Sequence, residues 1–165
     1  MGITRKKTNI MTKSPRTALT RIALVATFLT AFTALAPSMA QATTLTPRAR
    51  MYRATNSSRL TNGVHKAYIH YTMSKLARRH SIAMANKGQI FHTSNPSSFY
   101  LNGVRWSTWG ENVGVTPGTI GGIENAFMKS PYHRANILNR NFDRVAVGTY
   151  RDANGYLWVT VFFYG

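Results

Sequence analysis

Among the side chains of this sequence whose types do chemistry near neutral pH, three stand out: His92, Glu111 and His133. His92 lies in a stretch from Phe91 to Ser107 that is rich in Ser, Asn, Pro and Gly and reads as a long loop, the kind of segment that carries function. Glu111 follows Gly110 where a strand is expected to begin. His133 falls in the first turn of a helix opened by Ser130-Pro131, with Ser130 as N-cap and Pro131 at the first helical position. The partial positive charge of a helix N-terminus disfavours imidazolium and keeps such a ring neutral. Neutral imidazole is the form that binds metal or takes up a proton. Two such rings, His92 and His133, with one carboxylate make a donor set for a divalent cation such as zinc, or a means of orienting water for general-base chemistry. Spacing alone does not bring the three together.

Other chemistries lack their residues. The chain has no cysteine, so thiol catalysis is excluded. There is no Gly-x-Ser-x-Gly elbow, no phosphate-cradling glycine loop and no His-Glu-x-x-His pair. Plainer roles also suit the candidates. Glu111 can pair with an arginine or accept from backbone N–H groups near Asn112, and His133 can be a hydrogen-bonded scaffold. His80 belongs to an apolar helical stripe and reads as a core histidine. Asn136 can bridge backbone groups through its amide, and Arg134 can reach a carboxylate with both arms of its guanidinium. Trp106 and Trp109 suit either an apolar cleft wall or the core.

The elements that must position these groups follow from hydrophobic period and punctuation. Arg48 to Thr61 is compatible with a helix, and Gly63 is placed to end it. Between Thr72 and Lys87, the residues Met73, Leu76, Ala77, His80, Ala83 and Met84 recur at spacings of three and four, the stripe of an amphipathic helix stopped by Lys87 and Gly88. Ile120, Ile123 and Phe127 mark a shorter helix. In the tail, Val145, Val147 and Thr149 alternate with smaller residues. A turn follows over Asp152 to Gly155, and Tyr156 to Tyr164 is almost continuously apolar. A strand apolar on both faces needs cover on both, which calls for an α+β domain: an α-β-α sandwich around a small antiparallel sheet.

The first 42 residues read as a secretory signal peptide and residues 43–165 as one domain. Arg5, Lys6, Lys7, Lys13, Arg16 and Arg21 precede an uncharged apolar run from Ile22 to Ala36, which is shorter than the roughly 20 residues that span a bilayer. Small residues suited to cleavage follow, in Ser38-Met39-Ala40 and Ala40-Gln41-Ala42. Without the leader, fifteen Lys and Arg face Glu111, Glu124, Asp143 and Asp152, a net charge of +11. Such a surface attracts anionic cell-envelope polymers. The cations look scattered along the chain, with no basic helix interleaved with aromatics, so specific nucleic-acid recognition has no support.

Six separated motifs carry a family resemblance. They are Asn56, Arg59, Gly63 and Val64; Leu76 to Ser81 with Met84-Ala85 and Gly88; Phe91-His92-Thr93; Trp109 to Gly114; Ala126-Phe127-Met128 running into Ser130 to Asn139; and the closing Phe142-Asp143, Val145 to Gly148 and Trp158 to Phe162. In this order and at these gaps they resemble the bacterial branch of the CAP superfamily, the fold shared by cysteine-rich secretory proteins, antigen 5 and plant pathogenesis-related proteins. The resemblance implies a sandwich with a three-stranded antiparallel sheet and a central cleft lined by two His and two Glu. His92 and Glu111 match two of those positions, and His133 stands in for the second histidine in bacterial members. The second glutamate position falls near Ser130, with Glu124 well before it, so the tetrad is depleted.

A depleted tetrad argues against a dedicated hydrolase. The resemblance implies instead a secreted, monomeric binding module. Its cleft of His92, Glu111, His133, Trp109 and Asn112, framed by Ser130, Arg134 and Asn136, would hold a small apolar or amphipathic, lipid- or sterol-like ligand, with or without a divalent cation. Two alternatives stay open: metal-assisted hydrolysis of peptide or cell-wall bonds, and electrostatic attachment to the envelope.

Overall fold

Leu157 to Tyr164 organises the domain, because every residue of this strand is buried and its side chains alternate between two cores. Leu157, Val159, Val161 and Phe163 point to one face, where they meet Met51, Ile120, Ile123, Phe127, Ile137 and Phe142. Phe162 and Tyr164 point to the other, against Met73, Ala77, Tyr100 and Leu101. Burying a large apolar side chain is worth about 1.5–3 kcal/mol, so one strand with eight buried positions commits helices to both sides. The computed structural model describes residues Thr44–Gly165, and the leader expected over residues 1–42 lies outside the described residues.

The elements run α1 (Pro47–Thr61), β1 (Tyr68–Ile69), α2 (Tyr71–Lys87), α3 (Pro96–Phe99), β2 (Trp109–Thr116), α4 (Ile120–Lys129), α5 (Pro131–Ile137), β3 (Arg144–Arg151) and β4 (Leu157–Tyr164). The sheet order is β1-β3-β4-β2. β2, β4 and β3 are antiparallel, with Glu111 opposite Phe162 and Ala146 opposite the same residue on the other side. They form the expected three-stranded sheet, and a fourth strand, the two-residue β1, adds to β3 in parallel. Its amides reach the next strand through Tyr68 N–H to Asp143 O at 2.7 Å and His70 N–H to Val145 O at 2.8 Å. α2 covers one face, and α1, α4 and α5 cover the other. The result is an α-β-α sandwich.

Local chemistry accounts for the helix ends. Thr46 caps α1 by accepting from Ala49 N–H at 3.2 Å, and Pro47 opens the first turn. α2 is capped by an imidazole, His70 Nδ1 accepting from Met73 N–H at 3.0 Å, and it closes on Gly88 in the left-handed region. Gly148 lets α2 press directly onto β3: a β-carbon there would sit 2.1 Å from the carbonyl carbon of Ala77. Ser74 Oγ completes that join, donating to His70 O at 2.8 Å and accepting from Val147 N–H at 3.0 Å. The long loop read from Phe91 to Ser107 is interrupted by α3, one turn started by Asn95 as cap.

On the opposite face Arg59 is fully buried with no carboxylate partner. Its guanidinium donates instead to four carbonyls, those of His65 (2.9 Å), Ile137 (2.7 Å), Asn139 (3.1 Å) and Phe142 (2.6 Å). Hydrogen bonds from a charged donor contribute about 1.5–3 kcal/mol each. One side chain of α1 therefore holds the end of α5 and the approach to β3.

Candidate functional site around Glu111

β2 is an edge strand, and its alternation sorts the site residues. Trp109, Glu111 and Val113 share one face of the strand, and Gly110, Asn112 and Gly114 share the other. The Glu111 carboxylate is sealed from water, with the residue only 5% exposed, and all its bonding capacity toward the loop is used. Oε2 accepts from His92 Nδ1 at 2.9 Å and from Thr93 N–H at 2.9 Å. Oε1 accepts from Thr93 Oγ1 at 2.8 Å and from the Tyr100 hydroxyl at 3.2 Å. Burial pushes the Tyr100 phenol far up, and the neighbouring Glu111 charge adds to the rise, so the phenol stays a donor.

The loop is pinned from below as well. His80, buried in α2, donates from Nε2 to the carbonyl of Phe91 at 2.8 Å, and the Phe91 ring stands edge-on to it at 5.0 Å. His80 also lies 4.0 Å from Glu111 Oε1. The segment Phe91-His92-Thr93 is thus fixed at each residue. With Nδ1 committed to the carboxylate, Nε2 is the ring's remaining nitrogen, on a side chain 62% exposed.

On the other face of β2, Asn112 donates from Nδ2 to the carbonyl of His133 at 3.0 Å and accepts on Oδ1 from Asn136 at 2.9 Å. Asn136 also donates to the carbonyl of Glu111 at 3.3 Å. This amide pair ties α5 to β2 and explains Gly110: a β-carbon there would lie 2.6 Å from Asn136 Oδ1. His133 is half-buried with its ring 4.8 Å from that of Phe127. Desolvation lowers its pKa, and the nearby His92 lowers it further. The helix-start argument gave the same direction.

Placement of the remaining candidates differs from the sequence reading in several respects. Asn112 is completely buried and its amide is spent on α5, so it positions the site and does not face a ligand. Ser130 occupies the N-cap of α5 without a side-chain capping bond; only its carbonyl serves the helix, accepting from Arg134 N–H at 2.9 Å. Arg134 reaches no carboxylate and donates to the Asn62 side-chain oxygen at 3.1 Å. Trp109 is 40% exposed and stacks on Phe162 at 5.9 Å, on the strand face that carries Glu111. Thr93 and Tyr100 escaped the sequence reading, since a Thr beside His92 and a Tyr in a polar loop carry no mark of their common partner.

The metal expectation meets a shortage of donors. Among the described residues no group of three or more His, Cys, Asp or Glu is placed to hold a metal ion. Both Glu111 oxygens are occupied, which leaves two imidazoles where catalytic zinc sites use three protein ligands. The residues present do not fit a resident metal. Three surface cavities, of about 630, 370 and 330 Å³, are lined by residues other than His92, Glu111 and His133.

Comparison with known proteins decides the lineage. The cysteine-rich secretory protein (CAP) family is matched over residues 52–163. This chain belongs to that family. The uncharacterized protein YkwD of Bacillus subtilis strain 168 is 32% identical over 118 residues, which cover 68% of this chain and 45% of the relative. An extracellular protein of Bacillus anthracis containing an SCP domain superposes with a TM-score of 0.57 at 22% identity, over 70% of this CAP chain and 39% of that one. An outer surface protein of Borrelia burgdorferi gives a TM-score of 0.63 at 16% identity, over 73% of this chain and 95% of that one. These last two likenesses concern the fold. The chain spans less than half the length of its Bacillus relatives.

Proposed function

We propose that this CAP domain is a secreted, non-hydrolytic binding module in which His92 and His133 recognise a small apolar or amphipathic ligand at the edge of the sheet. The single observation that carries the reading is the saturation of Glu111. A carboxylate holding four hydrogen bonds in a sealed site is a poor base for water, and it serves to orient an imidazole. The half-exposed indole of Trp109 offers an apolar neighbour. Secretion is supported by the basic and then apolar stretch from Arg5 to Ala36 and by the extracellular protein of Bacillus anthracis and the outer surface protein of Borrelia burgdorferi that share the fold.

Organic extraction of the purified protein with mass spectrometry, followed by NMR of the His92 and His133 rings while the extract is added back, tests the reading. A stoichiometric extractable compound that shifts both rings is expected. Protein free of any such compound, or an extract that leaves both rings unmoved, would remove it. Zinc titrated in parallel should bind no more tightly than to two isolated imidazoles.

The carboxylate-fixed His92 favours one second reading, general-base activation of water at its free Nε2. In that case His92→Gln would abolish turnover of a peptide or cell-wall substrate while preserving the fold. Equal turnover in the variant and the parent would dismiss it.

A further inference from the structure

The folded chain gathers cations that look dispersed in the sequence. Lys75, Arg78 and Arg79 lie on one face of α2, at spacings of three and four that make like charges repel. Arg48 from the start of α1 and Arg151 from the end of β3 join them around the cavity of about 630 Å³. Three separate segments build this wall, and no acidic residue lines it.

Among the described residues no ion pair neutralises this wall. The protein's four carboxylates are all within the described residues, and two of them, Glu111 and Glu124, are buried elsewhere. Asp143 lies 3.9 Å from Arg144. Asp152 accepts from Trp158 Nε1 at 2.8 Å and from the amides of Asn154 and Tyr156, and Arg151 is the only one of the five cations whose charge it feels. None of the five forms an ion pair among the described residues. Three are steadied by other contacts: Arg78 over the Tyr150 ring at 5.8 Å, Arg48 over Tyr71 at 5.6 Å, and Arg151 by donation to the Gly155 carbonyl. A guanidinium held this way is prepared to meet a phosphate with little loss of entropy.

The cavity is not merely charged. Pro47 and Tyr150, both half-buried, supply apolar surface beside the cations. Its volume lies in the roughly 300–1,000 Å³ range of small-molecule sites. An extended polyanion would meet the cations and leave that surface unused. We propose that this cavity is a second binding site, separate from His92 and His133, for an organic phosphate whose anionic head sits among Lys75, Arg78 and Arg79 and whose apolar substituent covers Pro47 and Tyr150.

Calorimetric titration with octyl phosphate below its micelle concentration, against inorganic phosphate and octanol, tests both halves. Saturable one-to-one binding of octyl phosphate is expected. Inorganic phosphate should bind at least about tenfold more weakly, the equivalent of two lost methylene burials. Octanol should be weaker by at least about tenfold, the loss of a charge-assisted hydrogen bond. The double variant Lys75→Glu with Arg79→Glu should weaken octyl phosphate at least about tenfold, on the same ground, with an unchanged melting curve. Arg105→Glu with Arg140→Glu changes net charge equally on exposed residues away from the cavity, and should leave affinity within about twofold, the size of a screened long-range effect. His92→Ala should not alter binding. Equal weakening by the two charge-reversed pairs, or octanol or inorganic phosphate matching octyl phosphate, would overturn the site.

Discussion

Glu111 and Glu124 are buried to nearly the same degree, 5% and 4% exposed, yet they are different kinds of residue. Glu111 receives hydrogen bonds from His92, Tyr100 and both donors of Thr93. Glu124, on α4 facing α1, accepts from Thr55 Oγ1 at 3.1 Å, while its Oε1 has no partner. Burial pushes the Glu124 carboxyl above its ordinary range, and the hydroxyls of Ser58 and Thr55 pull it back only in part. Low exposure therefore does not identify a working carboxylate. The number of donors aimed at it, and what those donors carry, does so.

The largest expected effect that sharpens this contrast comes from Glu111→Ala. Four donors would lose their acceptor, two of them on or beside buried groups, at a cost of about 3 kcal/mol or more and a fall in melting temperature on the order of 10 °C. A smaller loss than for Glu124→Ala would reverse the ranking. Tyr100→Phe removes one bond and keeps the ring stacked on Phe162, so about 1 kcal/mol is expected in a denaturant melt.

Glu124→Gln should move stability the other way at neutral pH. A carboxyl whose folded pKa is raised gives its full contribution below the unfolded value near 4.5 and loses it as pH rises through the folded pKa. The amide has no charge to bury, so the variant should melt higher than the parent at pH 7, by up to about 4 °C, with the gap closing toward pH 4.5. Melting curves over that range check the sign, and a gap independent of pH would assign the effect to packing.

The smallest effect concerns His133. Its lowered pKa means that stability supported by the neutral ring is present above about 6.5, the ordinary histidine value, and drains away as pH falls through the folded pKa. His92→Ala removes one cause of the lowering, so the His133 ring should titrate at higher pH, read by NMR, with only tenths of a kcal/mol lost from the fold. An unmoved titration would separate the two imidazoles.

What the sequence made legible depended on the reach of each signal. The β3–β4 hairpin, α2 and the start of α5 stand on local period and punctuation, and each falls within a residue or two of its expected span. β1 is too short to have a period and exists only because β3 is beside it. α3 hides in a loop composition that Asn95 and Pro96 share with any turn. At the site, the motifs drew attention to His92, Glu111 and His133 through family likeness, whereas Thr93, Tyr100 and His80 became visible only as contacts. Cations at 48, 75, 78, 79 and 151 look scattered in one dimension because the fold alone brings distant segments to one cavity.

Arg59 has a consequence for a cysteine-free domain. A disulfide between helices holds such a join only while its surroundings stay oxidising. A guanidinium anchored on four carbonyls is indifferent to thiols and reductants. The junction of α1 with the end of α5 should persist unchanged across redox environments, and the protein needs no oxidative folding machinery to make it.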